Sequence, residues 1–262
     1  MSTFITYKNT PIHYTQSGKG TTIVLLHGFL ENVTMWQSLE KILNIKFRVV
    51  CIDLLGHGQT ESLGYVHTMT EMAEAVKAVL DVLNIRRSFF VGHSMGGYVA
   101  LAFADMYPDN VKGLVLLNST ARPDSEEKKI GRDRAIAVVK ENHKSFIRTS
   151  IPMLFRSKCR KIYADEIAKV KKEALKTSRQ GIIAALEGMK LRLDREVLLH
   201  FGPYPSLLIL GKKDPVLNYN DLIEQTHSAK TELIELENGH MSLIEDKEKA
   251  EQAILNFVKT HL

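Results

Sequence analysis

Along the first 120 residues, short apolar runs alternate with stretches of helical spacing. Thr22 to His27, Phe47 to Leu54, Ser88 to Gly92 and Val111 to Leu117 are rich in Val, Ile, Leu and Phe. Such near-continuous runs, without strict alternation, read as strands covered by helices on both faces. Phe4 to Tyr7 and Ile12 to Gln16, joined near Asn9-Thr10-Pro11, read as an antiparallel hairpin at one sheet edge. Between the buried runs, Thr68-Met69-Thr70-Glu71 is a capping-box pattern that opens a helix to about Leu83, and Gly96 to Tyr107 forms another before Pro108. This rhythm predicts an α/β protein with a mostly parallel central sheet and helices on both faces.

The pattern changes at Arg122. From there to His200 no strand signal occurs and helical spacing dominates, as at Ile162, Ile167, Val170 and Leu175. Thr177-Ser178-Arg179-Gln180 is a second capping-box pattern within this stretch. From Pro205 the strand-helix rhythm resumes with Ser206 to Leu210, a helix near Asp221, Glu232 to Leu236 and a last helix from about Lys247 to Thr260. The expected organisation is a sheet-bearing core of residues 1–121 and 201–262, interrupted by a helical insertion of residues 122–200.

Composition narrows the class. With 262 residues, 44% hydrophobic and 25% charged, the chain has enough apolar mass for one large core and excludes a disordered or collagen-like protein. No run approaches the roughly 18 to 20 apolar residues of a membrane span. The opening Met1-Ser2-Thr3-Phe4 lacks the features of a signal peptide, so a cytoplasmic location is expected. Cys51 and Cys159 stand in no metal-ligand spacing and read as free thiols. The net charge of +5 is regional. Residues 122–200 hold 20 of the 35 Lys and Arg but 11 of the 30 Asp and Glu, which puts that stretch at +9 and the remainder at −4. Amphipathic helices with solvated cations account for this, and an anionic substrate drawn in by the field is the sharper alternative. No nucleic-acid partner is expected.

The chemistry is concentrated in Gly92-His93-Ser94-Met95-Gly96, where a buried strand gives way to a helix. A G-x-S-x-G at such a junction is a nucleophile elbow, in which a strained turn exposes the serine hydroxyl and the glycines remove side chains that would collide. On this motif and its context the chain resembles the α/β-hydrolase superfamily over essentially its whole length. His27-Gly28-Phe29 resembles the family's oxyanion loop, and Asp53-Leu54-Leu55-Gly56-His57-Gly58 the turn after the next strand. Gly211-Lys212-Lys213-Asp214 and Asn238-Gly239-His240 fall where the family places its acid and its histidine. The resemblance implies Ser94 as nucleophile, His240 as base, Asp214 as its orienting carboxylate, and the backbone N–H groups of Phe29 and Met95 as the oxyanion hole. The order Ser, Asp, His is the one this fold uses.

The residue chemistry is consistent with those roles. A serine hydroxyl needs a base to take its proton, and an imidazole with an ordinary pKa near 6.5 is suited to it. Glu237 and Asp246 are read as solvated, Asn118-Ser119-Thr120 carries no carboxylate, His27 and His57 are read as structural, and His93 fills the variable position of the elbow. The resemblance makes the insertion of residues 122–200 a cap or lid over the site, and Tyr98 with apolar cap residues such as Ile151, Met153, Leu154 and Phe155 are candidate pocket residues. No G-x-x-x-x-G-K-[ST] and no G-x-G-x-x-G after a strand occurs, so no organic cofactor is expected, and no metal site either. The resemblance implies hydrolysis of a small-molecule carboxylic ester or related acyl bond. Asp53 to Thr60 with Ser94-Met95-Gly96-Gly97 also resembles a menaquinone-pathway lyase that eliminates pyruvate. That family carries arginine where this chain has Tyr98. A receptor without turnover is a further reading, against which stands the presence of all three triad residues.

Overall fold

The computed structural model describes residues 2–227 and 229–262. The strands are β1 (Ser2–Tyr7), β2 (Thr10–Ser17), β3 (Thr22–Leu26), β4 (Arg48–Ile52), β5 (Ser88–His93), β6 (Val111–Leu117), β7 (Ser206–Gly211) and β8 (Glu232–Leu236). They form one sheet in the order β1-β2-β4-β3-β5-β6-β7-β8. β1 and β2 pair antiparallel at one edge, β2 runs antiparallel to β4, and all remaining neighbours are parallel.

Helices α1 (Gln37–Leu43), α2 (Met69–Val82) and α3 (Met95–Met106) follow the early strands. α4 (Glu126–Met153), α5 (Ala164–Ala174), α6 (Arg179–Lys190) and α7 (Val197–Phe201) lie between β6 and β7, and no strand interrupts them among the described residues. α8 (Tyr219–Glu224), α9 (Ser242–Glu245) and α10 (Lys247–Thr260) complete the chain. No helix among the described residues is long and apolar enough to cross a membrane.

Successive strand residues point to opposite faces, and here both faces are dry. Val24, Leu26, Val50, Phe90, Leu114 and Leu208 meet α2 and α3 on one side. Ile23, Leu25, Val49, Phe89, Val115 and Leu207 meet α1 and α10 on the other, around the fully buried Trp36. This two-sided burial is why the strands read as unbroken apolar runs. The first core also contains Ile136, Val139, Ile147, Ile151, Phe155 and Ile182 from the helical stretch.

The ends of that stretch are tied together where it leaves the sheet. Arg195 N–H donates to Ala121 O at 2.9 Å, and Arg122 places Nε and Nη2 at 2.5 and 3.1 Å from the Glu196 carboxylate. α4 is broken at Asn142, whose φ of −151° and ψ of 87° are not helical. The Asn142 side chain accepts from Ser145 N–H at 3.0 Å and so caps the second half of the helix.

The two predicted capping boxes fare differently. Thr68 accepts from Glu71 N–H at 3.0 Å as expected. In the second, the cap is Ser178 in place of Thr177, with Gly181 N–H at 3.0 Å, and Gln180 donates instead to Gly64 O. The helix starts one residue later than the pattern implies, which puts Gly181 three residues after the cap and leaves Gln180 outside any reciprocal bond.

Candidate active site

Every residue singled out from the motifs lies at the carboxyl end of a parallel strand, the edge where sites form in such sheets. Ser94 follows β5 with φ 49° and ψ −115°, a left-handed conformation that costs an L residue energy and presents its hydroxyl at the turn. A Cβ on Gly92 would stand 2.4 Å from Gly96 O, and one on Gly96 would stand 2.0 Å from Leu26 O. Both positions therefore require glycine for the helix to start so close to the sheet.

Ser94 Oγ lies 2.9 Å from His240 Nε2, and His240 Nδ1 lies 2.7 Å from Asp214 Oδ2. The acceptor-only carboxylate fixes the proton on Nδ1, which leaves Nε2 free to accept from Ser94. Asp214 has no exposed side-chain surface. It also accepts Val216 N–H at 2.8 Å, Leu217 N–H at 3.0 Å and Asn118 Nδ2–H at 3.2 Å. Burial pushes its carboxyl up, but the His240 ring and the two backbone donors outweigh that and hold it below the usual range.

Four further residues position this array, and sequence reasoning missed them. Asn118, at φ 44° after β6, bonds Asp214 and Gly239 O and accepts from Ser242 Oγ at 2.5 Å. It braces the acid and the histidine loop at once. His93 is fully buried, with Nδ1 at 2.8 Å from Glu31 and Nε2 at 3.0 Å from His240 O. Glu31 also accepts Gly28 N–H at 2.6 Å. Burial opposes charge on His93, but the Glu31 carboxylate prevails and raises its pKa. Burial likewise opposes charge on Glu31, and His93 prevails and lowers it. The only sequence signals were an asparagine in the strand-end position and a histidine beside the serine.

Other expectations change with the geometry. Asp246, read as solvated, accepts Asn238 N–H at 2.8 Å and Asn238 Nδ2–H at 3.1 Å, which shapes the turn carrying His240. Glu237 is exposed and pairs with Lys212 at 3.0 Å. His27 Nδ1–H donates to Gly28 O and its Nε2 accepts Leu54 N–H, so both nitrogens hold the chain path. Burial takes His57 down to about 3.

A cavity of about 100 Å³ contains Ser94 and His240 and is lined by Phe29, Tyr98, Ser150 and Leu154 among others. A larger cavity of about 500 Å³ adjoins it, with Phe29, Tyr98, Arg132 and Val216 common to both. Tyr98 is thus where a pocket residue was expected. Met153 is not: it is 54% exposed at the end of α4, and Phe155 is wholly buried in the core. Leu154, also among the apolar candidates, and Ser150 one helical turn before it occupy the inward face. Phe29 follows Gly28 in the loop after β3, and Met95 opens α3, where a first-turn N–H has no intrahelical acceptor. Among the described residues no cluster of His, Cys, Asp or Glu is arranged to hold a metal ion.

The chain is similar over most of its length to proteins of known class. The dihydrolipoyllysine-residue acetyltransferase component of the acetoin cleaving system from Pseudomonas putida is 29% identical over 250 residues, 92% of this chain and 64% of that protein. The chain thus spans less than two thirds of that relative. 3-Oxoadipate enol-lactonase 1 from Acinetobacter baylyi is 29% identical over 86% of this chain and 84% of that one. Among solved structures, a thermophilic esterase from Thermogutta terrifontis, with malate bound, superposes with a TM-score of 0.93 at 30% identity, covering all of both chains. The family defined by the alpha/beta hydrolase fold matches residues 21–247, and with that match and this architecture the chain belongs to it.

Proposed function

We propose that this chain is a serine hydrolase that cleaves a carboxylic ester, or a related acyl bond, of a small molecule through an acyl-enzyme on Ser94. The observation that carries this reading is the unbroken chain from Asp214 through His240 to Ser94, at 2.7 and 2.9 Å, ending in a cavity. The similarity to an esterase and to an enol-lactonase supports the same bond class.

In the first half-reaction Ser94 Oγ bonds to the acyl carbon while its proton passes to His240 Nε2. The carbonyl oxygen becomes an oxyanion, held by the N–H groups of Phe29 and Met95. Collapse breaks the bond to the alcohol, which leaves with the proton from His240. In the second half-reaction water gives a proton to His240 and attacks the acyl carbon. Ser94 departs, regains its proton, and the acid is released. Asp214 keeps the imidazole in the required tautomer and stabilises the imidazolium. Residues 122–200 act as the cap, which is supported by Arg132, Ser150, Leu154 and Met189 reaching the cavity of Ser94.

A panel of p-nitrophenyl esters from short to long chains, together with a fluorophosphonate probe, tests the assignment. Wild type is expected to turn over esters and to be labelled. Ser94→Ala is expected to lose roughly 10⁴-fold or more in kcat and all labelling. A folded wild-type protein that neither labels nor turns over any ester would refute it.

A further inference from the structure

Arg132, on α4, lines both the cavity that holds Ser94 and the larger one beyond it. Its Nε and Nη2 face the Asp124 carboxylate, Nη2 at 3.2 Å. The same carboxylate takes Arg192 Nη1 at 2.6 Å. Asp124 has no exposed side-chain surface and Arg192 only 3%. One buried carboxylate therefore faces two guanidiniums, an arrangement one negative charge short of balance.

Among the described residues lining the two cavities, none repairs the deficit. Glu127 and Lys128 at the rim of the outer cavity are both exposed and opposite in sign. Glu31, in the inner cavity, is balanced by His93 at 2.8 Å. Arg192 has its Nε on Arg122 O and its guanidinium over the Tyr98 ring, 4.2 Å from the centroid, so it is held in place behind the wall. Arg132 is the partner that reaches the cavity, and Asp124 occupies two of its nitrogens while leaving Nη1 for a ligand. A guanidinium edge is shaped for a carboxylate, and a deficit of one charge matches a monoanion.

We propose that the substrate is an ester carrying a free carboxylate, which Arg132 binds while the ester carbonyl meets Ser94. The proposal rests on the hydrolase reading of the cavity for its second half and on the charge count for its first. Arg132 is then a specificity residue: it selects among esters and takes no part in bond making.

The test uses mono-p-nitrophenyl succinate and p-nitrophenyl butyrate, which differ by a carboxylate in place of a methyl. Titration into the full-length Ser94→Ala protein is expected to show the succinate ester binding at least tenfold more tightly, with the ratio shrinking as salt is raised. Ser94→Ala/Arg132→Gln is expected to abolish the ratio. Asp124 stays paired with Arg192 in that protein, so its buried charge remains neutralised. Ser94→Ala/Arg132→Lys, which keeps the charge without the fork, is expected to retain part of the ratio. Equal affinities in Ser94→Ala, undetectable binding of the succinate ester, or a ratio that survives Arg132→Gln would each overturn the proposal. Release of p-nitrophenol by wild type is read separately. Absence of release from either ester, with the binding ratio intact, sinks the hydrolase reading alone. Equal kcat/KM for the two esters sinks the carboxylate site alone.

Discussion

His93 and Glu31 join three parts of the site that the chain brings from different strands: the elbow, the loop at Gly28 and the backbone of His240. Both ring nitrogens of His93 face acceptors, an arrangement that a charged imidazolium satisfies fully. A raised His93 stabilises the fold fully below its ordinary pKa of 6.5, and that contribution is lost as pH rises through the raised value. A lowered Glu31 contributes fully above 4.5 and loses its effect as pH falls through the lowered value. His93→Gln is therefore expected to cost about 3 kcal/mol near pH 6, as for a broken buried pair. Denaturant titrations across pH should show that cost shrinking into the alkaline range; a cost independent of pH would contradict the ion pair. At this scale Ser94, Asp214 and His240, which the structure brings within hydrogen-bond distance, were legible as candidates because each sits in a turn motif with its own backbone constraints. Glu31, His93, Asn118 and Ser242 were not, since what they do depends on loops that meet only when the sheet assembles.

Helix α4 illustrates what an element adds beyond its residues. In a straight helix, Arg132 and Ser150 would stand about 27 Å apart along the axis, yet both line a cavity of about 100 Å³. The break at Asn142 folds the two halves toward one point. Within the second half, apolar character alone does not tell the cavity-facing Leu154 from the exposed Met153 or the core residue Phe155, and the inward Ser150 is polar. Asn142→Ala is expected to remove the internal cap at a cost of about 1 kcal/mol and to favour a straighter helix. KM for the best ester should rise more than the change in Tm would suggest. An unaltered KM would show that the break has no part in shaping the pocket. The regular elements themselves were legible almost to the residue, as for β6, β8 and α10, because their burial pattern is written in consecutive side chains.

Across the whole molecule, the helical stretch and the sheet share one apolar core, with Ile147, Ile151 and Ile182 in the same cluster as Phe90 and Leu116. Unfolding by heat is expected to proceed as a single calorimetric transition; two resolved transitions would mean that the stretch is held less tightly than this core implies. The charge excess of that stretch is also less free than its count suggests, since Lys129, Lys176, Lys190 and Arg132 pair with acids of the same stretch. What the charge total hid was the local deficit at Asp124, which only the meeting of α4 with Arg192 creates. The position of Trp36 has a practical outcome. As the single tryptophan, wholly buried on the sheet face opposite Ser94's helix α3, it makes intrinsic fluorescence a reporter of that far face alone. An optical signal from a second indole introduced on α4, read beside it, would distinguish opening of the mouth from loss of the sheet in one sample.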